Sequence, residues 1–319
     1  MKGKSLFHGL LISAVLLTAL ITMVDMDWQA GLEGVAGISG WTLLAMWASY
    51  QCNLYMRAWR LRLLLRSSVG QVRAWSVVMV YQWFTSTLPF RSGEISLLPM
   101  LKQYGVAMAH SLAVVVVFKW AELVALLINF IVVWIVFQEW IPFVGEEMWW
   151  SILALILGSG LGVVVLFAYR QQGMAWLEER FLRKYSQSSW LKDRLEIFQT
   201  ALMEERVDSL VGVVLVSLLA RPFNTLTWLV FFGDLAPLVP WQTVVVGEML
   251  FLLASQLPIH GLLGVGSFHA LFVVIFSALG LSASDGMLLA TGLHFINLLT
   301  NALTGLQGTL LGKWLDGQD

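Results

Sequence analysis

Six charged side chains stand in stretches otherwise built from Leu, Val, Ile and aromatic residues: Arg91, Glu94, Lys119, Glu122, Arg221 and Glu248. Arg91 and Glu94 are three residues apart, as are Lys119 and Glu122, so each pair can meet locally. Arg221 and Glu248 have no such neighbour and are expected to meet across helices. Pro222 follows Arg221 and can free backbone carbonyls beside it. Arg91 and Lys119 suit a phosphate, Arg through its bidentate fork and Lys as a point charge. Ser92 lies in the same stretch, and the helix N-termini at nearby chain breaks add donors for the same anion. Glu94, Glu122 and Glu248 could receive a cationic head group or carry protons. The structural alternative is a set of ion pairs that fixes helix register and binds no ligand.

Other polar residues carry less chemistry. His260 lies on a Pro/Gly-broken segment and is a candidate for the same site. His294, Asn297 and Asn301 share one helix face and are expected to bond across helices. His8, His110 and His269 are scattered, so no metal site is expected. The single Cys52 has no intrachain partner, which excludes an intrachain disulfide and a Cys-based metal site. No P-loop, Rossmann glycine pattern or nucleophile elbow occurs, so no cofactor and no enzyme activity are expected.

The elements that must position these residues are membrane helices. Of 319 residues 58% are hydrophobic and 12% charged, and the mean hydropathy is +0.77. Soluble domains carry about 25% charged residues, so a soluble enzyme, a disordered chain and a nucleic-acid binder are excluded. Six full spans are predicted at residues 6–24, 41–59, 106–137, 148–169, 209–232 and 286–311, each near the ~20 residues a bilayer requires or longer. Two further apolar stretches are interrupted, at residues 88–94 and 257–266, each followed by a short second arm. Pro removes a donor and Gly weakens a helix, and in lipid such backbone survives only inside protein or beside water. Two re-entrant hairpins are therefore expected. At the middle of a membrane, six unpaired charges at about 2.5–3.5 kcal/mol each would cost roughly 15–20 kcal/mol, so they must be paired or hydrated.

Charge placement orients this layout. With both termini cytoplasmic, sixteen of the nineteen basic residues fall on the inside, including the run Arg57, Arg60, Arg62, Arg66 and Arg73. The outer loops then hold carboxylates only, a strong positive-inside signal. Arg57 and Arg60 are read as anchors to anionic lipid at a helix end, with head-group admission as their alternative role. Residues 170–208 form an amphipathic cytoplasmic segment between a first half (1–138) and a second half (209–319) of a single membrane domain. The two hairpins enter from opposite sides, as in a transporter's inverted repeat.

The run from Arg57 to Leu65, the stretch Leu88-Pro89-Phe90-Arg91-Ser92-Gly93-Glu94, the group Lys119-Trp120-Ala121-Glu122 and the late segment from Leu257 to Gly266 together resemble the lysylphosphatidylglycerol synthase transmembrane-region family, also called the flippase-like domain family. The resemblance covers nearly the whole chain. The chain departs from it in three places: Phe118 and Ser267-Phe268 stand where the family often has Glu, and His294 where it commonly has Arg. Because the sequence stops at Asp319, the resemblance implies lipid translocation without the family's cytoplasmic synthase domain. It implies a multi-pass protein of a bacterial-type inner membrane, membrane lipids as partners, and compatibility with a homodimer. The expected function is translocation of an anionic or head-group-modified lipid between leaflets. The alternatives are a polyprenyl-phosphate-dependent glycosyltransferase-like enzyme and an ion-coupled small-solute transporter.

Overall fold

In the computed structural model, residues 36–65, 69–140, 207–256 and 262–318 are described, with backbone alone at Phe90, Arg91, Ala109 and 207–209. The predicted spans at 6–24 and 148–169, the amphipathic segment through residue 206, Arg66 and His260 lie outside the described residues, as does the side chain of Arg91. Eight α-helices are described: α1 Gly40–Leu64, α2 Gln71–Thr87, α3 Leu97–Gln103, α4 Met108–Phe137, α5 Val207–Leu235, α6 Trp241–Ala254, α7 Ser267–Ala278 and α8 Ala283–Asp316. No strand occurs among the described residues. Three helical stretches, His110–Trp140, Leu210–Leu235 and Ala283–Asp316, are long and apolar enough to cross a membrane.

Local chemistry sets the helix boundaries. Ser39 caps α1 by accepting from the Thr42 N–H at 3.1 Å, and Ser282 caps α8 by accepting from the Asp285 N–H at 3.0 Å. Pro89 forces Leu88 into extended backbone (φ −83°, ψ 139°), which ends α2. A 3-10 turn over Pro89–Ser96 then leads into α3. The second interruption lies between α6 and α7, where Leu263, Gly264 and Gly266 all have positive φ. Both breaks fall where Pro and Gly place them in the sequence. Their 3-10 segments, Pro89–Ser96 and Leu262–Gly264, pack against each other.

The tightest helix pairs are α1 with α5 and α2 with α8. On α8, Gly305, Gly308 and Gly312 face α2; a Cβ at position 308 would lie 2.7 Å from the Met79 Cβ and 2.9 Å from the Ser76 carbonyl. The Ser76 hydroxyl donates to the Gly308 carbonyl at 2.8 Å across this contact. On the other pair, Pro222 lies inside α5, and Asn53 and Ser49 from α1 donate to the flanking Ala220 and Phe223 carbonyls at 2.8 and 2.6 Å. Buried polar side chains thus bond across helices, as packing in lipid favours.

One boundary differs from the sequence reading. The second span was expected to end at Trp59 with Arg57 and Arg60 at a helix end. Instead α1 runs on to Leu64 and carries Arg60 inward, leaving it 2% exposed. Leu54, Ala58, Leu61 and Leu64 are also fully buried, so the apolar face of α1 continues through the basic run.

Candidate functional site

Glu122 lies midway along the 30-residue α4, and four cations converge on it. Arg57 Nη2 stands 2.8 Å from Glu122 Oε1, Lys119 Nζ 3.3 Å from Oε2, and Arg60 Nη2 3.9 Å from Oε2. Arg221, midway along α5, donates to the Glu122 backbone carbonyl at 3.2 Å. Lys119 also reaches Glu94 Oε1 at 2.9 Å, which ties the first break to α4. Arg57 and Arg60 share a face of α1 because they are three residues apart, and Arg57 donates additionally to Gln82 on α2.

The break is shaped to deliver Glu94. Gly93 is buried against the last turn of α2, where a Cβ would collide with the Phe84 carbonyl, so only glycine permits the approach. Ser92 donates to the Pro89 carbonyl at 2.8 Å and closes the turn. In this structure Ser92 therefore serves the backbone of the break.

Arg60 is held in a mostly aromatic setting. Its guanidinium carbon lies 3.6 Å from the centroid of Phe118, and its Nη1 donates to Ser217 at 2.9 Å. The Nε and Nη2 of Arg60 have no hydrogen-bond partner, and neither does the hydroxyl of the fully buried Tyr81. Tyr81 packs edge-on against Phe118 at 6.0 Å, and Lys119 Nζ lies 5.8 Å from the Tyr81 ring. Phe118 thus supplies a cation–π surface for Arg60.

One expected pairing is corrected. Arg221 and Glu248 do not form an ion pair: the Glu248 carboxylate accepts from Asn224 Nδ2 at 2.6 Å and Thr225 Oγ1 at 3.1 Å. Those side chains follow Pro222 on α5 and reach α6, while the Arg221 guanidinium turns to α4. Glu94 takes Lys119 as a partner, while its expected pairing with Arg91 involves a side chain outside the described residues. The i,i+3 pairing of Lys119 with Glu122 is present as expected.

The arithmetic of charge changes accordingly. Sequence reading left three cations and three carboxylates at depth. With Arg60 buried and Arg57 half-buried, four cations stand around two carboxylates among the described side chains, which leave out Arg91, and Glu248 is satisfied separately by neutral donors. Nothing in the sequence pattern separated these two arginines from a solvated helix end. The missed contributors Tyr81, Gln82 and Ser217 carry no charge and no motif; their role follows from the crossing of α1, α2 and α5. Two open hollows of about 420 and 460 Å³ lie away from the cluster, one lined by Trp140, Pro240 and Leu281 and the other by Gln71, Arg73 and Tyr104.

Residues 6–305 match the family described as "Lysylphosphatidylglycerol synthase TM region". The chain belongs to this family. No curated protein and no solved structure matches it. Membership agrees with the apolar helices in making this a multi-pass membrane protein of lipid-related function. Of the residues noted in the sequence as unlike the resembled pattern, Phe118 holds Arg60, and Phe268 lies against His294 with ring centroids 4.7 Å apart.

Proposed function

We propose that the protein is a lipid translocase that binds the anionic head group of a membrane lipid at the Glu122 cluster and passes it between leaflets, while the tails remain in lipid. The observation that carries this reading is the surplus of cations among the described side chains, Arg57, Arg60, Lys119 and Arg221 against Glu94 and Glu122, with Glu122 and Arg221 midway along long helices. An uncompensated charge at membrane depth costs about 2.5–3.5 kcal/mol, so the surplus favours a further anion. The unpartnered donors of Arg60 and Tyr81 supply hydrogen bonds that a phosphate oxygen accepts. In this reading the two breaks are re-entrant hairpins of an inverted repeat, entering from opposite sides of a bacterial inner membrane with both termini cytoplasmic. The lipid leaves chemically unchanged, so the protein is a transporter and not an enzyme. Glu122 occupies the cations until a head group competes for them.

The test is purified protein in liposomes carrying a phosphatidylglycerol with a fluorescent head-group label, quenched from outside by an impermeant reductant. Wild-type protein should accelerate loss of the protected inner-leaflet signal. Arg60→Ala and Arg57→Ala should slow it at least about tenfold, the effect of losing one charge-assisted contact. Equal rates in empty liposomes, wild type and variants would overturn the reading.

A further inference from the structure

At the second break two imidazoles face each other in the protein interior. His269 on α7 and His294 on α8 have ring centroids 5.0 Å apart with planes at 69°. They are only 6% and 8% exposed. His269 Nδ1 and His294 Nε2 are both buried without a hydrogen-bond partner. This spacing allows one nitrogen of each ring to come within hydrogen-bond reach of the other. The backbone of the break rests on the pair: a Cβ at Gly264 would touch His294 Cε1 at 3.4 Å. Phe268 closes the other side, 4.7 Å from the His294 ring and 6.1 Å from that of His269.

The charged groups on the elements packed around this pair are engaged elsewhere. α7 carries none. On α8, Asp285 lies nine residues before His294, roughly 14 Å along the axis, and its carboxylate receives the Ser282 hydroxyl. Lys313 and Asp316 lie at the far end of the same helix, where Asp316 meets Arg73 of α2 at 3.5 Å. On α6, Glu248 is held by Asn224 and Thr225; on the first break, Glu94 is held by Lys119, with Arg91 in the same turn. Each of these interior carboxylates therefore has fixed donors, whereas His269 Nδ1 and His294 Nε2 have none and face each other's rings.

We infer that His269 and His294 form a proton-binding site at the second break, holding one proton between them, and that this proton is the coupling ion of the translocase. The inference rests on the translocase reading for its second clause only. Buried imidazoles are neutral unless something shares the charge, and a second imidazole is the partner that does so without a fixed counter-ion. Uptake of the proton places a positive charge against the positive-φ hinge of Leu263, Gly264 and Gly266, and this segment packs on the first break. Added positive charge there favours an anionic head group at the neighbouring cluster and strains the closed hinge. Proton and anion then enter together and leave together.

Two measurements separate the clauses. Exchange of the imidazole C2 proton, followed by mass spectrometry in detergent across pH, reads each histidine directly and needs no transport. In wild type the pair should titrate in two steps separated by about one pH unit or more, since one proton is shared and the second is repelled. In His294→Phe the His269 midpoint should fall by about one pH unit, and in His294→Gln, which still offers an acceptor, by less. Two coincident steps in wild type overturn the proton site, and so does a His269 midpoint that stays or rises in both variants. Thermal unfolding checks that the variants fold, and the wild-type profile decides the matter even where one does not. The second measurement repeats the liposome assay with a gradient of one pH unit. Wild-type translocation should change up to about tenfold with the gradient, and His269→Gln/His294→Gln should lose that dependence. A paired titration without any lipid movement would reject the translocase and keep the proton site. Gradient-driven movement unaltered in the double variant would reject the coupling role and keep the translocase.

Discussion

The two breaks interrupt the chain by the same means and open onto opposite chemistry. Behind Pro89 lies a charged interior, where Glu94 and Glu122 divide four cations between them. Behind Gly264 lies an aromatic one, where Phe268, Phe272 and Phe276 pack in a column with Trp228, Phe232 and Phe251 and end on two imidazole rings. The side chains around the first break are ionic, and those around the second pack as aromatic rings. The difference teaches that break position and site chemistry are separable: Pro and Gly decide the first, the helices crossing behind decide the second.

Substitutions can break this contrast in graded steps. Glu122→Gln leaves buried cations without their shared carboxylate and should lower stability by about 3–5 kcal/mol, read as thermal unfolding in detergent. Adding Arg57→Gln should restore part of that loss, because one of the stranded charges goes with it. In the quieter interior, Glu248→Gln should cost only about 0.5–1.5 kcal/mol, since Asn224 and Thr225 still find an acceptor. Equal losses for the two Glu→Gln changes would erase the distinction between the regions.

Gly93→Ala pushes a methyl into the Phe84 carbonyl and should cost about 1–3 kcal/mol together with lipid movement, because Glu94 shifts off Lys119. Gly247→Ala on the aromatic side meets the Phe276 ring, which can turn where backbone cannot, and should cost less in the same assay. Phe118→Leu removes the face beneath Arg60 and should weaken anionic-lipid binding by roughly 0.5–2 kcal/mol. Smallest of all, Asp316→Ala opens an exposed pair with Arg73, for at most about 1 kcal/mol, vanishing at high salt.

Much of the scaffold was legible in the residues. Pro89 and the glycines near 264 located both breaks, and the apolar runs located α4, α5 and α8 to within a few residues. The Lys119–Glu122 pair followed from helical spacing alone. What could not be read is set by helix crossings. Arg57 and Glu122 are 65 residues apart, and a basic run at the end of an apolar helix looks the same whether it meets water or a buried carboxylate. Arg221 and Glu248 were matched by sign, but the geometry after Pro222 brought an amide and a hydroxyl to Glu248 first. Composition gives the charge inventory, and only packing says which charges share a room.

The glycine face of α8 bears on how such a molecule can move. With Gly308 against Met79 and Ser76, α2 from the first half is locked to the last helix of the second, while α5 is locked to α1 by Asn53 and Ser49. The halves are interlaced, like the fingers of two clasped hands. A rocking motion that split the chain at its midpoint would have to pull both clasps apart. The tightest packing therefore pairs α1 with α5 and α2 with α8, and the two breaks meet beside these pairs.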